Sequence, residues 1–261
     1  MPVDAHTIAD QLLLGRYRVL EVRGQGGFGT VSVCWDPRLM RRVAIKSIPL
    51  HQAEPVVKPA KRKAREPFQG AAGSPAAQPQ PQDLPLAEAY LEERRRDMLL
   101  RAALAETRTA SMLNHPGIVA MLDFEYDDDS AYIIMEYVEG ASLAELLDAT
   151  QDGLLTADEA AAVVEAVCDA LQFAHDNGVL HLDIKPDNIL IDMSGRIKLA
   201  DFGMAVLAGA TGHATARGGT VGYMPPEQIE CADVDVRTDV FAFAAVMYEA
   251  LTGVRPFAAP T

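Results

Sequence analysis

The sequence predicts an α+β fold in two lobes, a small antiparallel sheet carrying one helix followed by a mostly helical lobe. Three observations predict it. Apolar and polar residues alternate from Tyr17 to Ile48 around a glycine-rich turn, the period of strands joined as a hairpin. One long charged segment and two more strand-like runs follow before residue 138. From Thr156 onward the apolar spacing becomes three and four, the period of helices. The pattern divides the chain into an extension over 1–15, a strand-rich part over 16–138 and a helix-rich part over 139–261.

Taken in order, Leu12-Leu13-Leu14 ends at Gly15 and reads as a brief helix or strap on the first lobe. Tyr17 to Val22 alternates as a strand and enters Gly24-Gln25-Gly26-Gly27-Phe28-Gly29; Val31-Ser32-Val33 then resumes the alternation. The glycines therefore form a hairpin turn, whereas a dinucleotide-binding glycine motif would open a helix. The next strand, Arg42 to Ile48, carries Lys46 in an apolar run. An ammonium buried without partners is costly, so Lys46 calls for anions.

Residues 51–87 break the pattern. Lys58 to Arg65 is basic, and 70–85 is Ala, Gly, Gln and Pro, too poor in apolar side chains to offset its ordering entropy. A disordered loop is expected there, its basic cluster a solvated linker or a dock for an acidic partner. Leu86 to Leu113 reads as a charged helix, and Val119 to Tyr126 and Ala131 to Tyr137 as strands. Thr156 and Glu159 form a capping box opening a helix with Val163, Val167 and Leu171 on one stripe, closed by Asn177-Gly178. Asp239 is expected to cap a last apolar helix running to Leu251 and to steady the loop that follows His181.

The chemistry concentrates between His181 and Gly203. Asp183, Lys185 and Asn188 fall within six residues, and Asp201 follows thirteen after Asn188. Ile189 to Ile191 and Ile197 to Leu199 read as strands joined at Ser194-Gly195, a hairpin that brings Asn188 and Asp201 to one space. Their hard oxygens suit Mg²⁺ (or Mn²⁺) rather than zinc. Asp183 stays free to accept a substrate proton. Such a set fits phosphoryl transfer, where positioning and charge neutralisation dominate.

His181-x-Asp183-x-Lys185-x-x-Asn188 followed by Asp201-Phe202-Gly203 resembles the catalytic and metal loops of protein kinases. Val43-Ala44-Ile45-Lys46, fifteen residues beyond Val31, resembles the family's third strand, and the likeness covers roughly residues 12–257. The resemblance implies a serine/threonine protein kinase of the bacterial type using ATP. It implies that Gly24, Gly26, Gly27 and Gly29 cover the phosphates and that Lys46 grips them. Glu106 would hold Lys46, with Glu93 as fallback. Met135, Glu136 and Val138 would form the adenine-binding hinge, and Val31, Ala44 and Leu190 would sandwich the ring. Asn188 and Asp201 would hold the metal, Asp183 would be the base, and Lys185 would neutralise the transferred group. Gly219 to Glu227 resembles a docking loop for protein substrates, and Thr220 with Lys185 points to Ser/Thr acceptors.

Three departures stand out. Leu182 replaces the arginine that receives an activating phosphate, so phosphorylation of Thr211 or Thr215 is not expected to be the main on-switch. Pro225 replaces an alanine. The family's last three helices have no counterpart before residue 261, so the sequence reads as a fragment, with a partner or a missing C-terminal segment covering the apolar helix 239–251. A pseudokinase and a small-molecule phosphotransferase of related fold are the rival readings.

Bulk properties exclude other classes. Net charge is −14, with 17 Lys and Arg against 12 Asp and Glu up to residue 120 and 6 against 25 beyond it. So acidic a second half argues against nucleic acid and for basic protein substrates. Cys34, Cys168 and Cys231 are too few and scattered for a disulfide framework, which suits a reducing cytoplasm. No apolar run within 1–261 reaches membrane-spanning length.

Overall fold

The computed structural model describes residues 12–26, 29–50, 93–94, 96–101, 104, 111–150, 152–202, 206–207, 222–230 and 232–257. Residues 51–87, Glu106 and the segment 208–221 lie outside these. Six antiparallel strands form the first lobe: β1 (Leu12–Leu13), β2 (Tyr17–Gly26), β3 (Gly29–Asp36), β4 (Arg41–Pro49), β5 (Met121–Tyr126) and β6 (Ser130–Glu136). Their order is β1-β2-β3-β4-β6-β5. Leu12–Leu13 is thus an edge strand paired with Tyr17 and Arg18, not a helix or strap. Two residues are too few to display an alternation, and Gly15 at φ +61° turns the chain back onto β2.

Alternation across the pleat divides the sheet into two faces. Tyr17, Val19, Cys34, Val43, Ile45, Tyr132 and Ile134 pack one face into a core with Leu13, Leu14 and Leu122. The register sets Val31 opposite Lys46 and Ala44 opposite Met135, so these four share the other face. Residues 93–94, 96–101, 104 and 111 are helical. Leu99 and Leu100 pack beside Ile48, Leu50 and Phe124, which seats this helix on the sheet.

The second lobe holds β7 (Gly140–Ser142), β9 (Ile189–Asp192) and β10 (Ile197–Leu199) in the order β10-β9-β7, and β8 (Val179–Leu180) paired with β11 (Val206–Leu207). Its helices are α1 (Leu143–Ala149), α2 (Ala157–Asp176), the single turn α3 (Pro226–Ile229) and α4 (Val236–Thr252). The Thr156–Glu159 capping box opens α2, and Val163, Val167 and Leu171 are buried along it. Each such side chain contributes about 1.5–3 kcal/mol of burial. α4 departs from expectation by starting four residues earlier. Asp235 caps it, accepting from Arg237 N–H in a box with Thr238. Val236 and Val240 are exposed, so no apolar period marks the first turn, and Asp239 is turned inward. Val240, Tyr248 and Leu251 on α4 remain exposed. Among the described residues no helix is long and apolar enough to cross a membrane.

Candidate active site

β8 carries the chain out of the core into His181, which is fully buried. His181 and Leu182 donate their main-chain N–H groups to Asp239 of α4, at 2.8 Å to Oδ2 and 2.8 Å to Oδ1. His175 Nε2 lies 2.8 Å from the same Oδ2. On the other side Gln228 Nε2 donates to Leu182 O at 2.9 Å. Leu182 adopts a left-handed φ of +64°, costly for a residue with a Cβ. It persists because both of its peptide groups are held from opposite sides. Sequence reasoning missed Gln228, whose partner lies 46 residues away.

His181 links this loop to the next. Its Nδ1 accepts from Asp183 N–H at 3.2 Å, so the proton sits on Nε2, which donates to Ala200 O at 3.0 Å. The ring also tilts against Phe202, centroids 4.5 Å apart. The ring thereby ties Asp183 to Ala200, the residue before Asp201.

Asp183 is nearly buried, and Lys185 Nζ donates to its Oδ2 at 2.7 Å. Asn188 Nδ2 donates to Asp183 O at 2.8 Å and to Oδ2 at 3.3 Å. Two donors on one oxygen fix the carboxylate plane. Among the described residues no hydrogen bond is made to Oδ1. Asp183 borders a small recess with Ile184, Tyr223, Met224, Gln228 and Ala242.

The β9–β10 hairpin pairs Ile189 with Leu199, and Ala200 N–H donates to Asn188 O at 2.8 Å. Asn188 and Asp201 therefore flank one another. With its amide nitrogen committed to Asp183, Asn188 has Oδ1 as its remaining group. Asp201, at φ +61°, accepts from Lys46 Nζ at 2.6 Å. Burial alone would raise the Asp201 carboxyl, but the Lys46 ammonium, by charge and hydrogen bond, holds it below the ordinary carboxylate range. Among the described residues no three His, Cys, Asp or Glu side chains cluster as a metal cage. One carboxylate, of Asp201, and one amide oxygen, of Asn188, are hard donors that would suit a hard cation.

Lys46 is 5% exposed, facing the second lobe from β4 beside Val31, Ala44 and Met135, all half-buried. Leu190 is half-buried on β9. Gly26 pairs with Gly29 at the end of the β2–β3 hairpin, while Gly27 lies outside the described residues. Gly29 has a reason of its own to be glycine: at φ +120° its Cβ would stand 2.1 Å from Ser47 O. Gly24 has no such restriction, since nothing lies within 4 Å of a Cβ there. The predicted hinge leaves β6 at Glu136, whose N–H donates to Ala120 O at 2.9 Å, and continues through Val138. Glu93 is exposed on the helix, and Glu106 and Thr220 lie outside the described residues. Glu227 accepts from Thr238 Oγ1 at 2.9 Å.

A family model described as "protein kinase domain" matches residues 87–261. The serine/threonine-protein kinase PrkC of Bacillus subtilis is 34% identical over 245 residues, 93% of this chain and 31% of that protein. PknB of Mycobacterium leprae is 34% identical over 252 residues, 94% of this chain and 34% of its own length. A probable serine/threonine-protein kinase PknB of Corynebacterium glutamicum is 41% identical over 160 residues, 58% of this chain and 24% of that one. The chain thus spans about a third of the length of the curated relatives it matches. Two lobes, a buried lysine on the small sheet and an Asp-Lys-Asn loop beside Asp201 and Phe202 agree with that match, and the chain belongs to the protein kinase domain family.

Proposed function

We propose that this chain is the catalytic domain of an ATP-dependent serine/threonine protein kinase, with residues 16–138 as its first lobe and hinge and 139–261 as its second. Lys46 binds phosphate oxygens beneath the β2–β3 glycines, whose N–H groups supply further donors. Asn188 and Asp201 hold a divalent cation, Mg²⁺ on the hardness of their oxygens; when bound, it neutralises charge on the phosphates. Met135, Glu136 and Val138 face the base, with Val31, Ala44 and Leu190 about the ring. Asp183 orients a Ser or Thr hydroxyl and takes its proton through Oδ1. The new bond joins that oxygen to the γ-phosphorus, and the bond to the ADP oxygen breaks. Lys185 stabilises the charge on the group in transit.

The observation that carries this reading is the single-sided hold on Asp183, one oxygen tied to Lys185 and Asn188 and the other open. The acidic second half makes a basic protein the acceptor of choice. Free Cys34 and Cys168 suit a reducing cytoplasm. The test is transfer from γ-labelled ATP to a generic basic protein, followed by identification of the labelled amino acid. Phosphoserine or phosphothreonine is expected. Nucleotide binding without transfer to any protein would instead describe a pseudokinase, and transfer confined to small hydroxyl compounds would describe the third reading.

A further inference from the structure

Three acidic side chains at the end of β6, just after it and in the first turn of α1 each meet a cation from a different strand. Glu139 takes Arg42 of β4 at 2.6 Å and Glu145 takes Arg23 of β2 at 3.5 Å, both on the surface, where an ion pair contributes little. The third pair differs. Lys198 Nζ of β10 lies 2.6 Å from Glu136 Oε1, with the side chains 15% and 29% exposed. The same oxygen accepts Ala120 N–H at 2.8 Å, while Glu136 N–H donates back to Ala120 O. Val119, next to Ala120, donates its N–H to Leu199 O at 2.9 Å. Lys198 itself stands opposite Leu190 in the hairpin and three residues before Asp201. The end of β6 is therefore tied to the hairpin that carries Asn188 and Asp201 through residues 119–120 and one ammonium.

We infer that Lys198 is a positioning residue for recognition of the nucleotide base, holding the Glu136 carboxylate so that the main chain of 136–138 keeps one conformation against the β9–β10 hairpin. This rests on the nucleotide reading above. Without the ammonium, a half-buried carboxylate retains only the Ala120 N–H and turns toward water, releasing the strand end. The phosphate end of the site, built on Lys46, the glycine hairpin, Asn188 and Asp201, makes no described contact with the Glu136 carboxylate, which meets Lys198 and Ala120. The role is therefore separable: Lys198 affects the base and not the phosphates.

The test measures binding of adenosine and of magnesium tripolyphosphate separately, by calorimetry on the full chain. Lys198→Met is expected to weaken adenosine about tenfold while changing tripolyphosphate by less than about twofold, and Lys198→Arg to restore adenosine to within about threefold. In turnover the same variant raises KM for ATP with kcat nearly kept. Equal adenosine binding in wild type and Lys198→Met, or parallel loss of both ligands, would overturn the inference. If Lys198→Met does not fold, Glu136→Gln keeps an acceptor for Ala120 N–H and takes its place; adenosine affinity unchanged there sinks the idea equally. A wild type that binds tripolyphosphate but no adenosine contradicts the nucleotide reading itself, and this role with it.

Discussion

The carboxylate of Asp239 accepts the main-chain N–H of Leu182 at 2.8 Å across 57 residues of sequence, and Leu182 is held there at φ +64°. Asp239 also takes His181 N–H and meets His175, so one buried group organises the turn that presents Asp183. Asp239→Ala leaves two buried N–H groups without an acceptor and the half-buried His175 ring without its partner, and a loss of about 3–5 kcal/mol is expected from the unfolding midpoint in denaturant. Asp239→Asn, which keeps one acceptor oxygen, should lose less. A midpoint unmoved by the alanine would mean that the turn is held elsewhere.

The glycines of the β2–β3 hairpin separate by cause. A Cβ at Gly29 meets Ser47 O of β4, whereas one at Gly24 meets nothing. Gly29→Ala should cost about 1–3 kcal/mol through backbone strain and displacement of β4. Gly24→Ala should leave the melting temperature within about 1–2 °C of wild type. Thermal melts of the two variants side by side decide this, and equal losses would contradict it.

Acid should weaken the first lobe through Asp36. Burial alone would raise this carboxyl, but Arg16 at 2.6 Å and the N–H groups of Arg38 and Leu39 hold it below its ordinary value. A carboxyl depressed in the folded state contributes stability that is present above its unfolded pKa, near 4, and lost as pH falls through the folded pKa. Melting temperature should therefore fall below about pH 4 more steeply in wild type than in Asp36→Asn. Parallel slopes would remove Asp36 from the account.

Leu182 supplies no cation to receive a phosphate, and it is buried in the turn. Thr211→Ala with Thr215→Ala should thus retain most of the phosphotransfer rate, within about threefold. Loss of activity in a double variant that melts like the wild type would show that an activating phosphate finds another partner.

What could be read from the sequence was local. The Thr156–Glu159 box and the stripe of Val163, Val167 and Leu171 lie within one helix, so their spacing alone announces α2. The β9–β10 hairpin was legible for the same reason: Ser194-Gly195 sits between two short apolar runs, and Gly195 takes φ +83°. The expectation that Asp239 steadies the catalytic loop holds, since it accepts the His181 and Leu182 N–H groups, but the cap of α4 is Asp235; an aspartate before an apolar run looks like a cap, and only packing tells the two apart. Lys198 with Glu136, and Gln228 with Leu182, meet across 62 and 46 residues. No local period encodes such contacts; the tertiary arrangement creates them.

The central claim is that Asp183 removes the acceptor proton while other groups bind the nucleotide. Its most direct test pairs ATP affinity with single-turnover phosphotransfer in wild type and Asp183→Asn. A positioned base is typically worth about 10²–10⁴ in rate. The variant should transfer phosphate at least about a hundredfold more slowly and bind ATP within about threefold of wild type. Equal turnover in Asp183→Asn would contradict the assignment.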